Sequence, residues 1–560
     1  MVNVINAGNA RYLAELPEFQ DGLPHGIVNK TKTDVGGTYV AANCRYNYII
    51  VCPFRDLVDS IAADKNNGYE VFKCYGGVKE PSFKKYIKEH STYKIAVTYD
   101  SLPKLLHWMD NKTTGWKLLV DEYHLILEDM DFRETAINGL LHEIGRFKHY
   151  TFLSATPIDE DYEIDFLQQL PHYRVGWNDT LPITVKKVRA THLTKGLCNL
   201  INIFLRKGFH IPDIDGEIRE VEQLFIFLNS VTTIRQIIGT LELDADEVKI
   251  CCANKQRNRL ILGEYEIEPV ISPNKRINFF TKKCFQGCNL FSNNGLVIVA
   301  SDAYRTQTLV DISTTMEQIS GRLRVNEEYQ NVFRNTMIHL YSTNKNVLSD
   351  EEFEAQMLRK EEEADHLLSL QEKASEEERK ALIKRVNVET DLLSKEGDFL
   401  VRNELKRRSF IRKQAIRKAY RDGYELRTFY NKSQKFVQTK QELWKDFDIL
   451  LEKAVTVSYE KLLKDYLEHP SNEYEEEYPE FRDFRLYLKE TEMNSLRWNK
   501  EKMQKAVEDK KKLQQAFRAI YRKGEFVSNE ALKKQLAEQF KRLRIGVTPK
   551  ATLIQSCSIY

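Results

Sequence analysis

Two adjacent acidic residues directly follow an apolar run, a pattern typical of a catalytic strand end. Asp121 and Glu122 come after the run 116–120. Ligands bind at the carboxyl edge of open parallel sheets. An Asp there can hold Mg²⁺ against nucleotide phosphates, and a neighbouring Glu can position and deprotonate an attacking water. The alternative interpretation is an ordinary strand end with a solvated acidic turn.

Small hydroxyl residues follow the next apolar run along the chain. Ser154 and Thr156 come directly after the run 150–153, about one strand-helix unit beyond Asp121. Hydroxyl groups at a strand end can bridge a nucleotide site to a second lobe. The order and spacing of these residues after Asp121, rather than their types, carry the prediction.

A third chemical pattern lies far downstream and contains Gln318, Arg322 and Arg324. Two arginines could reach across a cleft and stabilise the charge that develops on a γ-phosphate, while the glutamine orients water or senses the nucleotide. The alternative is a basic helix surface, for which Gly321 would be a poor choice because glycine weakens a helix.

A glycine-bearing loop near the amino end could cradle phosphates. Gly36 and Gly37 allow the backbone to approach a phosphate closely, and Thr38 can offer its hydroxyl to Mg²⁺. The usual ending is Gly-Lys-Thr, so the phosphate-binding lysine is absent from its usual place. Lys30 and Lys32 lie upstream and could supply the charge. The alternative is a loop that binds nucleotide poorly or not at all.

These residues require parallel sheets to position them. From residue 1 to about 345, apolar β-branched runs alternate with helical patterns, which indicates parallel sheets flanked by helices. The break between two such sheets is expected between Pro157 and Pro182. The main strand-like runs are 48–51, 94–98, 117–120, 150–153, 224–228 and 296–300.

Composition and charge limit the classes of protein to which the chain can belong. The chain has 560 residues, a formal net charge of +2, 42% hydrophobic and 30% charged residues. No stretch approaches the roughly 20 apolar residues of a membrane span, and we expect neither a signal peptide nor membrane association. Nine cysteines, mostly within apolar runs, favour a reducing cytoplasm. Cys284 and Cys288 are interpreted as free thiols, since no second ligand pair accompanies them.

The last third of the chain has a different composition. Segment 349–380 is acidic and helix-prone, whereas 402–435 is basic and interleaved with aromatic residues. The basic segment is either a nucleic-acid grip or an amphipathic helix with aromatics in the core, and the acidic segment could fold back on it. Ser528 is expected to cap a helix that ends before Gly546, with another starting at 548–549.

Taken together, eight segments in order resemble the superfamily 2 helicases, over roughly residues 25–330. The ending of the last segment, Gly-Arg-x-Arg, looks most like that of herpesvirus origin-binding helicases and related bacteriophage proteins. Motifs I, Ia, Ib, II, III, IV, V and VI of that family are similar to 30–38, 48–56, 96–102, 121–124, 154–156, 225–230, 281–291 and 318–324.

The resemblance implies roles for further residues. Pro53, Arg55, Thr98 and Thr281 would lie near the nucleic-acid backbone. Coupling of ATP to movement would involve Ser154, Thr156 and Gly287. Two departures bear on activity. Gly37 stands where a lysine is usual, and Asn289 stands where an aspartate is common.

The resemblance also implies a fold and a domain order. The fold class is α/β, with two RecA-like parallel-sheet lobes followed by a mainly α-helical C-terminal region. We predict lobe 1 at 1–158, a linker at 159–181, lobe 2 at 182–346, a charged helical region at 347–520 and a small helical module at 521–560.

The predicted function is a nucleic-acid-dependent ATPase of the superfamily 2 helicase type. It would use ATP and Mg²⁺, translocate on and unwind DNA in the cytoplasm (the host's, if viral), and serve phage or viral replication or recombination. Replication or recombination proteins are possible partners through the C-terminal region. Two alternatives remain: a double-strand translocase without unwinding, and a catalytically degenerate nucleic-acid-binding scaffold.

Overall fold

The computed structural model describes residues 2–33, 35–178, 181–385, 392–433, 435–444, 448–520 and 527–542. The chain forms two compact units. The first contains the described residues of Met1–Ser230, Thr240–Cys251 and Glu268–Leu451. The second contains Val231–Gly239, Cys252–Ile267 and the described residues from Glu452 onward.

The first unit begins with a lobe built on an eight-stranded, all-parallel sheet. The sheet order is β1-β8-β2-β7-β6-β3-β5-β4. The strands are β1 (Val2–Gly8), β2 (Gly26–Asn29), β3 (Asn47–Cys52), β4 (Val71–Cys74), β5 (Lys94–Thr98), β6 (Trp116–Asp121), β7 (His149–Ser154) and β8 (His172–Trp177). The helices are α1 (Gly37–Asn43), α2 (Arg55–Ala63), α3 (Glu80–Glu89), α4 (Leu102–Trp108), α5 (Leu125–Glu128), α6 (Met130–Ile144) and α7 (Asp165–Gln168).

Both faces of this sheet are covered, which explains why its strands are continuous apolar runs. In β3, Ile49 and Val51 belong to one hydrophobic cluster, whereas Tyr48 and Ile50 belong to another. Alternate residues of a strand point to opposite faces, so each face has its own core. Both cores hold the strand ends in place.

The second lobe of the first unit also has an eight-stranded parallel sheet. Its order is β13-β14-β12-β15-β16-β9-β19, with β20 also paired to β9. The strands from here on are β9 (Ile183–Ala190), the hairpin β10 (His210–Pro212) and β11 (Ile218–Glu220), β12 (Gln223–Phe227), β13 (Val248–Cys251), β14 (Ile277–Phe280), β15 (Gly295–Ser301), β16 (Thr336–Tyr341), the hairpin β17 (Leu393–Glu396) and β18 (Phe399–Arg402), β19 (Phe436–Gln438) and β20 (Glu442–Trp444). The helices between β9 and β16 are α8 (Leu193–Lys207), α9 (Val231–Leu241), α10 (Gln256–Leu262) and α11 (Thr315–Ser320). Of these, α10 and most of α9 belong to the second unit rather than to this lobe.

The C-terminal region is mainly helical. Its helices are α12 (Asp350–Lys373), α13 (Glu376–Arg385), α14 (Glu404–Ala419), α15 (Gly423–Lys432), α16 (Tyr459–Glu468), α17 (Asn472–Glu477), α18 (Pro479–Tyr487), α19 (Glu490–Ser495), α20 (Lys500–Ile520) and α21 (Asn529–Arg542). The predicted fold class, two parallel-sheet α/β lobes followed by a helical region, is confirmed. In the part of the chain that the structure describes, no helix has both the length and the apolar character that crossing a bilayer needs.

Two elements depart from the predicted organisation. The segment 159–181, expected to link the lobes, contributes β8, which lies between β1 and β2 in the first sheet. Of its six residues only Val175 and Trp177 are buried, so no apolar run marks it. The short strands β19 and β20 come from the charged region and join the second sheet.

The acidic and basic segments of the C-terminal region pair with each other, as the sequence suggested. Arg402 and Arg407 both form ion pairs with Glu361 of α12. Two aromatic residues of the basic segment, Tyr420 and Tyr430, are buried in the core of the second lobe. These contacts favour the interpretation in which aromatics of the segment form core.

The second unit is helical and has its own core. Helix α10 contributes Ile261, which packs among apolar residues of the later helices, including Leu463, Phe481 and Met503. At its far end, the Ser528 hydroxyl accepts a hydrogen bond from the Ala531 amide at 3.2 Å, which caps α21. The expected helix end at Gly546 and the start at 548–549 lie outside the described residues.

Candidate nucleotide site

The carboxyl ends of three neighbouring strands bring together residues that are distant in the sequence. Strands β2, β7 and β6 are adjacent and parallel. Lys30 follows β2, Ser154 ends β7, and Asp121 ends β6, with Glu122 directly after it. These residues therefore lie along one edge, where open parallel sheets bind their ligands.

Lys30 faces both acidic residues. Its Nζ lies 3.5 Å from Oε1 of Glu122 and 4.0 Å from Oδ1 of Asp121. The lysine is only 8% exposed. Burial lowers the pKa of Lys30, but the two carboxylates outweigh that effect and leave the pKa above its ordinary value. Lys30 is therefore a buried, charged ammonium group.

The two carboxylates differ in their electrostatics. Burial raises the pKa of Asp121, Lys30 opposes the rise and the charge of Glu122 adds to it, so the pKa is raised. Burial also raises the pKa of Glu122, but Lys30, His124 and Arg322 outweigh it and lower the pKa. Glu122 is therefore ionised at neutral pH. An additional positive charge nearby, such as a metal ion, would lower the raised pKa of Asp121 and favour its ionised form.

The backbone at Glu122 adopts an uncommon conformation. Its φ is +48°, in the left-handed region that side-chain-bearing residues seldom occupy. The Glu122 amide donates to Oδ1 of Asp121 at 3.0 Å, which holds the turn. Residues in such conformations cluster at functional sites, because the surrounding structure must hold them there.

The glycine-bearing loop leads into α1, and its geometry explains the missing lysine. Gly36 has a φ of +77°, and Gly37 is the first residue of α1, followed by Thr38. A Cβ added at Gly37 would lie 2.3 Å from Cδ2 of Leu153, a fully buried residue of β7. Any side chain at position 37, including that of lysine, therefore requires the core to move.

The second upstream lysine has a different environment. The Nζ of Lys32 lies 5.6 Å from the centre of the Trp177 ring. The same Trp177 donates its indole N–H to the carbonyl of Lys30 at 2.8 Å. Of the two lysines proposed to replace the usual one, Lys30 is therefore the one placed at the acidic pair.

Side chains of the second lobe complete the cluster. The Gln318 amide donates to Oγ1 of Thr156 at 2.9 Å and lies 3.5 Å from Oε2 of Glu122. Arg322 donates to Oε1 of Gln318 at 2.9 Å and is 2% exposed. The predicted residues of motifs II, III and VI thus form one connected set across the two lobes.

Arg324 reaches the loop of the first lobe directly. Its Nη1 donates to Oγ1 of Thr33 at 2.8 Å, and its Nε donates to Oδ1 of Asn289 at 3.1 Å. Asn289 is the residue that stands where an aspartate is common in the resembled family. The asparagine therefore holds an arginine that also contacts the glycine-bearing loop of the first lobe.

His124 is a member of the site whose role the sequence did not single out. Its Nδ1 lies 2.8 Å from Oγ of Ser154 and 3.5 Å from Oε2 of Glu122. The side chain is 1% exposed, and no described residue forms a hydrogen bond with its Nε2. Its position two residues after the strand-end acidic pair was the available signal in the sequence.

A cavity of about 1160 Å³ opens beside this cluster. Its lining includes Thr33 and Lys32 of the loop, Thr156 and Trp177 of the first lobe, and Gly321 of the second. Ligand pockets typically measure about 300–1,000 Å³. The cavity has the volume for a nucleoside triphosphate, although Lys30, Asp121 and Glu122 are not among its lining residues.

The oxygen donors at the site fit a magnesium ion. Mg²⁺ binds carboxylate oxygens and usually takes one or two from the protein, with substrate phosphates and water completing its shell. Asp121 is buried and has the raised pKa of a carboxylate that gains from a nearby cation. Among the described residues, no group of three or more His, Cys, Asp or Glu side chains is arranged to bind a metal alone.

The predicted nucleic-acid residues lie elsewhere on the lobes. Pro53 and Arg55 follow β3 and Thr98 ends β5, on the opposite side of β6 from β2 and β7. The Arg55 guanidinium lies 4.5 Å from the centre of the Tyr75 ring. Thr281 follows β14 in the second sheet.

Gly287, the predicted coupling residue of motif V, has a φ of +71°, and a Cβ added there would meet no described atom within 4 Å. Its backbone conformation, rather than a close neighbour, therefore favours glycine.

No protein-family model matches the chain, and no curated protein is similar to it. Solved structures with some similarity include Mss116p bound to single-stranded RNA and AMP-PNP (15% identity, 64% of this chain, 80% of that one, TM-score 0.37). A second is the E. coli DExH-box NTPase HrpB, with 13% identity over 59% of this chain and 41% of that one and a TM-score of 0.36. A third is Mycobacterium smegmatis helicase Lhr bound to single-stranded DNA and AMP-PNP, with 14% identity over 57% of this chain and 44% of that one and a TM-score of 0.34. The chain spans less than half of the latter two proteins. Similarity at this level does not establish a shared function.

Proposed function

We propose that this chain is a nucleic-acid-dependent ATPase of the superfamily 2 helicase type. The observation that supports it is the meeting of Lys30 and Glu122 of the first lobe, 3.5 Å apart, with Gln318 of the second, 3.5 Å from the same carboxylate. A phosphate-binding cation, a candidate base and a residue from the opposing lobe are the parts that nucleotide hydrolysis between two lobes requires.

Each residue of the first lobe has a distinct task in this proposal. Glu122, held ionised by its neighbours, would orient the attacking water and accept its proton. Lys30 would leave the carboxylates for the β- and γ-phosphates and so replace the lysine absent at position 37. Asp121 and Thr38 would hold Mg²⁺, which neutralises phosphate charge when bound.

The second lobe would sense the nucleotide and stabilise the developing charge. Arg322 and Arg324 would turn from Gln318 and Thr33 towards the γ-phosphate, as arginine fingers do. The Gln318–Thr156 hydrogen bond would report the state of the site to the other lobe. Alternating closure and opening of the lobes would then move the chain along a nucleic-acid strand.

The finer assignment extends this proposal. We propose that the chain acts on DNA in preference to RNA and unwinds it. We propose that it does so in phage or viral replication or recombination in the cytoplasm. The support is the Gly-Arg-x-Arg ending at Gly321–Arg324, which resembles that of herpesvirus and phage helicases. Protein partners would bind through the C-terminal region.

A second candidate function is a scaffold that binds nucleic acid without hydrolysing ATP. The observation that favours it is Gly37, which stands in place of the usual lysine and at which a side chain would require Leu153 to move. A third, a double-strand translocase that does not unwind, would retain the ATPase site. Strand-displacement and triplex-displacement assays distinguish it from a helicase.

The deciding experiment measures ATP hydrolysis with and without single-stranded DNA. The variants are Glu122→Gln, Lys30→Met and the matched control Lys32→Met, which removes a lysine from the same loop. Loss of one group that stabilises the charge developing in a transition state costs about 10²–10³ in kcat. We expect a loss of that order for Lys30→Met and for Glu122→Gln, and a much smaller change for Lys32→Met.

The possible failures separate the alternatives. A wild-type protein without turnover on any nucleic acid would establish the scaffold and remove the ATPase proposal. Turnover that depends on Lys32 but not on Lys30 would retain the ATPase and contradict the role of Lys30.

A further inference from the structure

The first turn of α6 lies where the predicted nucleic-acid motifs of the two lobes meet. Arg133 donates to Oδ2 of Asp100 at 2.9 Å, next to the end of β5. Lys282, directly after Thr281 of the second lobe, donates to Oδ1 of Asp129 at 3.1 Å. The residues just before and within this turn therefore contact motif Ib on one side and motif V on the other.

Phe132 projects from this turn into solvent. It is 65% exposed, and the Nζ of Lys282 lies 5.0 Å from the centre of its ring. Arg133 interrupts the helix with φ −129° and ψ 23°, so the turn that carries Phe132 is separated from the rest of α6. Single exposed apolar side chains are common on protein surfaces, but this ring lies at the junction of both lobes and beside a cation.

Rings and cations alternate around the junction. The Arg133 guanidinium lies 5.1 Å from the centre of the Tyr99 ring and 5.9 Å from that of Phe54. Phe54 is the first residue after Pro53 of motif Ia. Proteins that bind single strands without sequence preference combine basic groups for the backbone with aromatic rings for the bases. Phe132 is the ring of this group that an unpaired base could reach, because Tyr99 is fully buried and Phe54 is half-buried.

We propose that Phe132 stacks on an unpaired base of a nucleic-acid strand that crosses the junction between the lobes. Lys282, beside the ring, would meet the phosphate of the same nucleotide. The inference rests on the proposed nucleic-acid-dependent function and names its base-contacting residue. Because every base has an aromatic face, the contact would favour single strands over duplexes without selecting a sequence.

The test measures the affinity of the full chain for fluorescent single-stranded DNA and for RNA of the same sequence. The variants are Phe132→Ala, Phe132→Leu and Phe132→Trp. The control is Tyr12→Ala, which removes another exposed aromatic ring with a cation, Arg11, at 5.4 Å. A 2-aminopurine in the strand reports stacking by quenching of its fluorescence, and thermal unfolding verifies that each variant folds.

Stacking contributes enough per base to weaken binding roughly 5- to 150-fold when the ring is removed. We expect that loss, with reduced quenching, for Phe132→Ala and Phe132→Leu, and retention for Phe132→Trp and Tyr12→Ala. The DNA and RNA arms identify which strand is stacked. If Phe132→Ala does not fold, the difference in affinity and quenching between Phe132→Leu and Phe132→Trp tests the stacking role.

Two outcomes overturn the inference and differ in what else they affect. Unchanged affinity and quenching in Phe132→Ala and Phe132→Leu, with a wild type that binds, would remove the stacking role and leave the proposed function standing. A wild type that binds neither strand would remove the proposed function as well.

Discussion

Replacing Arg412 should weaken the contact between the two lobes, because this residue forms ion pairs with both of them. Its Nη2 lies 2.9 Å from Oε1 of Glu128 in the first lobe. The same atom lies 2.6 Å from Oδ2 of Asp311 and 2.9 Å from Oγ1 of Thr314 in the second. Arg412 belongs to α14, a helix of the C-terminal region. We predict that Arg412→Met weakens this junction substantially.

Helix α14 is anchored in both lobes by apolar contacts as well. Leu405, near its start, belongs to the hydrophobic core of the first lobe. Ala419 at its end and Tyr420 directly after it belong to the core of the second. Opening of the lobes must therefore strain or break the contacts of this helix, of which the Arg412 cluster is the central polar one.

The pKa of Glu128 provides the magnitude. Burial raises this pKa, but the charge of Arg412, with smaller contributions from His124 and Lys282, lowers it to about 2 from an ordinary 4.5. At about 1.4 kcal/mol per pKa unit, the difference corresponds to about 3 kcal/mol. Removing one partner of a buried ion pair typically costs about 3–5 kcal/mol, so we expect a loss of about 3 kcal/mol.

The sign of the pH dependence follows from the lowered pKa. The folded state binds the Glu128 proton less tightly than the unfolded state does. The stabilisation is therefore complete above about pH 4.5 and is lost as the pH falls towards 2. Arg412→Met should remove most of this stabilisation at neutral pH and should make the remaining acid dependence weaker.

Hydrogen exchange of the amides of α5 and α14 is the assay, because a chain with several domains does not unfold in one two-state transition. A double-mutant cycle with Glu128→Gln isolates the pair. We expect the double variant to lose less than the sum of the single losses. Unchanged protection in Arg412→Met at pH 7, or strictly additive losses, would refute the reasoning.

Two further predictions concern the first lobe. Gly37→Ala should lower Tm by overpacking against Leu153, with a cost of about 1–3 kcal/mol; an unchanged Tm would contradict the contact as the reason for glycine. Burial raises the pKa of Glu163 to about 7 from an ordinary 4.5, so the folded state binds this proton more tightly and the wild type loses stability as the pH rises from about 4.5 through about 7. Glu163→Gln should therefore be more stable than the wild type at pH 8 and lose that advantage at pH 5, and an equal Tm difference at both values would argue against a buried, neutral carboxyl.

Six strands of the two sheets coincide with apolar runs named from the sequence, because strands buried on two faces leave a local signature. The runs at 48–51 and 296–300 lie within β3 and β15, and 224–228 ends one residue beyond β12. Strand β8 had no such signature, since it exposes alternate polar residues. Its place between β1 and β2 depends on pairing over more than 140 residues, as in the pairing of Ile27 with His172.

The order of acidic, hydroxyl and arginine motifs indicated which residues would share a site. Asp121, Thr156, Gln318 and Arg322 were all candidates from sequence, and the structure brings them into one set of contacts. The contribution of Arg412 had no sequence signal. It lies 284 residues from Glu128, in a segment whose composition equally suits nucleic-acid binding.

The sequence by itself indicated two parallel-sheet lobes, with acidic and hydroxyl residues at strand ends of the first and a pair of arginines in the second. That information is local, because periodicity and strand-end chemistry depend on neighbouring residues. Only the tertiary structure distinguished the surroundings of Lys30 from those of Lys32, and only it showed what a side chain at position 37 would meet. The lysines are two positions apart, and their difference arises from what packs beside each: the acidic pair from β6 beside Lys30 and Trp177 of β8 beside Lys32. A side chain at position 37 would require the buried Leu153 of β7 to move, a constraint that exists only once the sheet has formed.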